Sequence, residues 1–137
     1  MSKTMLYAII SSTHVAVHST ISPSDEEWQA YLEDIRGSLR LINGILVYTL
    51  GGGPSATQRT MANKFWEKQE RRPKIVILTS STAVRGMATA LNWFLKTPIN
   101  MFSLEDFGGA FDCLGTHPAQ RDPVMKLVRQ FLQEFGH

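Results

Sequence analysis

A single α/β domain on a five-stranded, mixed but mostly parallel sheet is predicted over residues 1–137. Three observations carry this. Apolar runs of strand length alternate with stretches of helical periodicity. Two of the runs, Ile45–Leu50 and Ile75–Leu78, are almost unbroken, as suits central strands covered on both faces. A chain of 137 residues with 43% apolar residues can bury a real core as one domain.

The elements follow in order. Met5–Ile10 and Val15–Val17 are two short apolar runs around Ser11-Ser12-Thr13, and they predict an antiparallel pair. Ser22-Pro23-Ser24-Asp25 opens a helix with a capping hydroxyl, a proline and first-turn acids. Trp28, Leu32, Ile35 and Leu39 form its apolar stripe. Asn43-Gly44 turns into the strand Ile45–Leu50. Gly51-Gly52-Gly53-Pro54-Ser55 then leads into a helix over Ala56–Gln69, and Ser55 and Gln58 have capping-box spacing. Arg71-Arg72-Pro73 ends it. Ile75–Leu78 is the next strand, and Thr79-Ser80-Ser81-Thr82 supplies caps for a third helix with Val84, Met87, Leu91 and Phe94 on its apolar face. Gly86, in the first turns of that helix, is a place where another group can approach closely. Ile99–Phe102 is a short strand. Ser103-Leu104-Glu105-Asp106 opens a fourth helix, Gly115–Gln120 is a loop, and Asp122-Pro123 caps a last helix. The order is β-β-α-β-α-β-α-β-α-α, and right-handed crossovers are expected. Val47 and Ile77, mid-run, are expected to be nearly inaccessible.

Bulk properties exclude more than they select. A net charge of +2 favours neither nucleic acid nor acidic substrates. Cys113, the one cysteine, cannot form an internal disulfide, which fits a reducing compartment. No stretch approaches the roughly 20 apolar residues of a membrane span. The N-terminus lacks a basic, apolar leader pattern. A cytoplasmic protein that does not span a membrane is the expectation.

The element order resembles the STAS-like fold of the anti-sigma-factor antagonists. It is closer to the stand-alone SpoIIAA-like branch, where that fold shades into lipid-binding CRAL-TRIO-type domains. Three stretches carry the likeness over about Met5 to Leu114. They are Ile21-Ser22-Pro23-Ser24-Asp25-Glu26-Glu27-Trp28, Arg72-Pro73-Lys74-Ile75-Val76-Ile77-Leu78, and Pro98-Ile99-Asn100-Met101-Phe102-Ser103-Leu104-Glu105-Asp106. The resemblance implies a regulatory, protein-binding role in signalling or assembly. In anti-sigma-factor antagonists a serine at the start of the second helix is phosphorylated by a partner kinase. Ser55 and Thr57 stand nearest to that position, although three glycines and a proline replace the Asp-Ser-(Ser/Thr)-Gly setting.

The residues themselves nominate one working edge. A glycine-rich strand-to-helix turn can aim backbone N–H groups at an anion. Gly51, Gly52, Gly53, Ser55, Thr57 and Arg59 belong to it. Ser80, Ser81, Thr82 and Arg85 would face it if the two strands are neighbours. The competing reading is a tight turn with hydroxyl caps and solvated arginines. Lys64, Lys68, Arg71, Arg72 and Lys74 form a basic cluster with Trp66 interleaved, either a contact surface beside that edge or a solvated face. Trp66 and Trp93 are candidate interface aromatics, against packing on the core.

Catalysis finds little support. His14 and His18 would share a strand face without metal-ligand spacing, Cys113 has no local histidine partner, and no GxSxG elbow occurs. The expectation is a non-enzymatic interaction module without cofactor or metal that binds a protein partner. A homodimer is compatible with it. The alternative is a domain that binds a small anionic ligand or a lipid.

Overall fold

A computed structural model describes residues 3–82, 84–86 and 99–137. β1 (Met5–Ile10) and β2 (Thr13–His18) pair antiparallel. Ser11 and Ser12 turn the corner with φ of 52° and 61°. β3 (Gly44–Thr49), β4 (Lys74–Thr79) and β5 (Ile99–Phe102) then add in parallel, so the sheet order is the chain order, β1-β2-β3-β4-β5. The predicted α/β class and mixed five-stranded sheet are present.

α1 (Asp25–Ser38) connects β2 to β3, and α2 (Ala56–Glu67) connects β3 to β4. Both crossovers step the same way along the sheet. Right-handed connections therefore place both helices on one face. There Trp28, Leu32 and Ile35 of α1 and Ala62 and Trp66 of α2 meet Ala16, Ile45, Val47 and Ile75 of the sheet. α3 (Phe107–Leu114) and α4 (Pro118–Glu134) cover the other face, where Phe111, Val124 and Val128 bury Val15, Val17, Leu46, Val76 and Leu78. Two apolar layers on one sheet explain the unbroken apolar runs of β3 and β4.

β3 and β4 are neighbours in parallel, with Thr49 opposite Thr79. The glycine turn and the Thr79 turn therefore share one edge, as expected. Several boundaries differ. β2 runs from Thr13 to His18 rather than over Val15–Val17, because Thr13, His14 and His18 are buried as well. α3 starts at Phe107, capped by Asp106 accepting from the Gly109 N–H at 2.9 Å. α4 starts at Pro118, not Pro123. His117 caps it through Nδ1, which accepts from the Ala119 N–H at 3.1 Å, and Pro118 presets φ at the first helical position. Pro123 sits one turn inside, where it forgoes a single hydrogen bond. The expected third helix, with Met87, Leu91, Trp93 and Phe94, lies mostly outside the described residues. Gly86 is within them, and no atom lies within 4 Å of the Cβ it lacks, so no close approach uses it.

Val47 is 9% exposed and Ile77 is only half-buried. Both were expected to be nearly inaccessible. Val47 is buried accordingly, and Ile77 is not, because it borders a crevice.

A candidate ligand crevice beneath two helices

The crevice lies between the sheet and the α1/α2 layer and has a volume of about 90 Å³. Its floor is His18 of β2, Val47 and Thr49 of β3, and Ile75 and Ile77 of β4. Trp28, Tyr31 and Leu32 of α1 wall one side, and Ala62 and Trp66 of α2 the other. Gly52, Gly53 and Pro54 form its rim at the carboxyl ends of the strands. That is where open parallel sheets take up ligands.

The walls are held by hydrogen bonds. Trp28 donates from Nε1 to the Gln58 carbonyl at 3.0 Å, which fixes the indole across both helices. Gln58, a buried residue of α2, donates from Nε2 to the Pro23 carbonyl at 2.8 Å and to Asp25 Oδ1 at 3.0 Å. Its Oε1 accepts from the Ser55 N–H at 3.0 Å, while Ser55 Oγ accepts from the Gln58 N–H. The capping box predicted at Ser55 is therefore present, and it also ties the starts of α1 and α2 together.

Most of the donors expected to be free at the glycine turn have partners inside the protein. The Gly51 N–H donates to Thr49 Oγ1 at 3.0 Å, and the Gly52 N–H donates to the Ser19 carbonyl at 2.8 Å. Gly51 has a φ of 136°, open only to glycine. Thr79 repeats the device one strand over, accepting from the Ser81 N–H at 2.9 Å. Ser81 Oγ accepts from the Val84 N–H, as a cap should. Ser55, Thr57, Ser80 and Thr82 are exposed on this edge. Arg59 donates from Nη1 to the Pro54 carbonyl at 3.2 Å, and Arg85 from Nη2 to the Thr79 carbonyl at 3.0 Å. Both guanidiniums are partly buried braces on the two turns rather than solvated groups.

Two expectations about neighbouring residues are corrected. Trp66 is 5% exposed and packs into the core as a crevice wall. Its indole is too large to leave in water when the apolar gap between α2 and β4 can take it. The basic cluster sits at the opposite edge from the glycine turn, because α2 runs back toward the amino ends of the strands. There Arg71 donates to the Ile42 carbonyl at 2.9 Å, Arg72 to the Trp66 carbonyl at 3.1 Å and Lys74 to the Cys113 carbonyl at 3.2 Å.

His14 and His18 do share one face of β2, beneath α1. His14 Nε2 lies 2.7 Å from Asp34 Oδ2, and its ring stacks with Tyr7 at 5.8 Å between centroids. His18 packs edge-on to Tyr31 at 6.5 Å and beside Trp28 at 6.4 Å. It is 3% exposed, and its Nδ1 has no hydrogen-bond partner. Burial pushes the His18 imidazole down to about 4, against the weaker pull of the Glu27 carboxylate. Burial also lowers His14, partly offset by Asp34. Both rings are neutral at pH 7. Among the described residues no three His, Cys, Asp or Glu side chains could hold one metal ion.

These two histidines predict acid sensitivity. Their folded values lie below the unfolded one, so the stability they protect is complete above about pH 6.5 and is lost as pH falls from about 6.5 toward 4. Glu27 adds to this at lower pH. Burial raises its carboxyl, but hydrogen bonds from Thr4, Met5 and Ser24 together hold it below the usual range, so that contribution is lost below about pH 4.5. Urea midpoints measured from pH 8 to pH 4 should fall steadily below 6.5. A flat profile between 6.5 and 5 would show that neither ring is buried uncharged.

Of the residues named from sequence, the structure brings Gly52 and Gly53 to the crevice rim and Trp66 into its wall. Ser55, Thr57, Ser80 and Thr82 stay on the outer edge. His18, Trp28 and Gln58 were not singled out for binding. The available signal was a histidine and two large aromatics, Trp28 and Tyr31, at positions that converge once α1 lies on β2. No protein-family model and no curated protein matches this chain.

Proposed function

We propose that this chain is a non-enzymatic binding module, STAS-like in its order of elements, that holds a small, mostly apolar molecule in the crevice. One observation carries this. The crevice is a preformed concavity at the carboxyl ends of parallel strands, walled by Trp28, Tyr31 and Trp66, and none of its described lining residues is charged. Its volume of about 90 Å³ is below the order of 150 Å³ of apolar cavities that accept benzene, so it suits a short chain, or one ring held partly in the open rim. An anionic ligand finds less support, because most of the turn donors and both arginines already serve the protein's own carbonyls and side chains. The single cysteine fits a cytoplasmic setting.

Toluene and 1-hexanol should raise the melting temperature by a few degrees at ten times Kd, because they bind the folded form alone. They should also change the fluorescence of Trp28 and Trp66. Ala62→Leu, which places a larger side chain in the crevice, should keep stability within about 1 kcal/mol and abolish both effects. Absence of binding to the wild-type protein rejects the reading.

A second reading rests on the same edge. Ile21 is 64% exposed, and its carbonyl lies against the glycine turn, with exposed Ser55, Thr57, Ser80 and Thr82 on the same edge. An exposed branched side chain amid hydroxyls is a contact point for a protein partner, the role that the family resemblance implies.

A further inference from the structure

We propose that a second copy of this chain pairs with the free edge of β1, antiparallel about a two-fold axis through Ala8. Tyr7 of each copy then lies opposite the partner's Ile9, and the two sheets become one. The crevice takes no part in this pairing.

The hydrogen bonds at the ends of β1 and β2 fix which backbone groups are open. In an antiparallel pair, residues that exchange bonds alternate with residues whose N–H and C=O point away. The Ser19 N–H donates to the Thr4 carbonyl at 2.8 Å, so Thr4 faces β2, and Leu6, Ala8 and Ile10 follow it. Met5, Tyr7 and Ile9 therefore turn their N–H and C=O groups outward. Two further bonds agree. His18, opposite Met5, offers its carbonyl to Leu50 beside β3 at 3.1 Å, away from β1. The Met5 N–H, pointing off the sheet, donates to Glu27 Oε2 at 3.3 Å. Tyr7 and Ile9 have no strand to pair with on that side, since β1 pairs with β2 alone.

Nothing in β1 opposes a neighbour. Met5–Ile10 carries no charge, no proline and no bulge, the usual devices that keep an edge strand from pairing, and Ile9 is 39% exposed on it. The open groups are complementary to their own copy. With Ala8 on the axis, Tyr7 and the partner's Ile9 both present outward groups and can exchange both bonds. A shift of one residue would set outward groups against inward ones. A shift of two would bring in Met5, whose N–H the Glu27 carboxylate already holds. Side chains agree with this register. Tyr7 and Ile9 share the face beneath α1, so each tyrosine ring covers the partner's Ile9 in an aromatic–β-branched pair. Ala8 is small and stands at the axis, where opposing Cα atoms lie about 4.5 Å apart. The arrangement closes on itself, because it consumes the same edge of both copies.

Sedimentation equilibrium of the full chain, from micromolar to millimolar protein, should show a reversible monomer–dimer equilibrium. Ile9→Pro removes an outward N–H and no bond to β2, a place where an edge strand tolerates proline. It should raise the dimer dissociation constant about tenfold or more, because the axis deletes that bond twice. Ile9→Lys should weaken the dimer as well, by placing a charge on the pairing edge. Leu41→Lys, at a residue 67% exposed outside β1, should leave it unchanged. In the wild type, hydrogen exchange at the Tyr7 and Ile9 amides should slow as protein concentration rises, a readout that survives if a variant fails to fold. A wild-type chain that stays monomeric over the whole range rejects the second copy as the occupant of this edge. A dimer that survives Ile9→Pro unchanged, or that leaves exchange at Tyr7 and Ile9 independent of concentration, rejects β1 as the surface. Growth beyond the dimer rejects the two-fold arrangement.

Discussion

Gly52→Ala is expected to destabilise the protein by about 3 kcal/mol or more, the upper part of the range for forced overpacking. A methyl group at Gly52 would lie 2.6 Å from the carbonyl oxygens of both Ser19 and Ile21. Neither is the flexible end of a side chain. Both are backbone, and Ser19 is pinned further because its carbonyl accepts the Gly52 N–H and its own N–H donates to the Thr4 carbonyl. Relief requires the link from β2 to α1 to move away, and with it the start of the helix that supplies Trp28 and Tyr31. Gly37→Ala is the control. Gly37 is exposed near the end of α1, with nothing within 4 Å of the added methyl, so the substitution should stabilise by about 0.5–1 kcal/mol. Urea denaturation of the two variants checks both. Equal midpoints for Gly52→Ala and the wild type would mean that the link does not press on the turn.

Phe111→Ala is expected to cost about 3–5 kcal/mol, the usual loss for a buried aromatic. Phe111 is 2% exposed and sits in the layer that α3 and α4 place on the sheet. Its ring lies 6.0 Å from that of Phe107, with the Arg121 guanidinium 5.6 Å above it. Arg121 in turn donates to the Thr116 carbonyl and to Asp112, so the ring supports the corner between the two helices. The crevice lies on the opposite face of the sheet. Toluene should therefore bind the remaining folded fraction with unchanged affinity, which separates loss of stability from loss of the site. A midpoint shift under about 1 kcal/mol would show that this layer is not a packed core.

The sheet was readable because its central strands are apolar on both sides and because the turns carry glycine, proline and hydroxyl residues. Those signals located β3, β4 and their shared edge. They failed where polarity and burial part company. β2 reads as three residues when Thr13, His14 and His18 are assumed to be exposed, yet all three are buried, the two histidines beneath α1 and Thr13 on the opposite face with Val15 and Val17. Two His/Asp-Pro pairs five residues apart each look like a helix start, and the side chain that accepts the first-turn N–H decides between them. The crevice left no mark at all. Trp66, Val47 and Ile77 have the periodicity of core residues whether they fill a space or border one. The glycines drew attention to the edge at which the crevice opens, for a partly different reason. Gly51 serves the turn geometry, and Gly52 serves close packing of Ser19 and Ile21.

The agreement of sheet order with chain order bears on synthesis. Each strand pairs with the one made just before it, so the sheet can grow as the chain leaves the ribosome, without waiting for a distant partner. Its two faces are not finished together. α1 and α2 are made between the strands and can cover their face as it forms. Val15, Leu46 and Val76 on the other face wait for α3 and α4, which are translated after all five strands of this sheet. During that interval an apolar surface faces solvent or a chaperone. That face is closed by the arrival of residues 107–134, after the strands and helices that assemble the crevice.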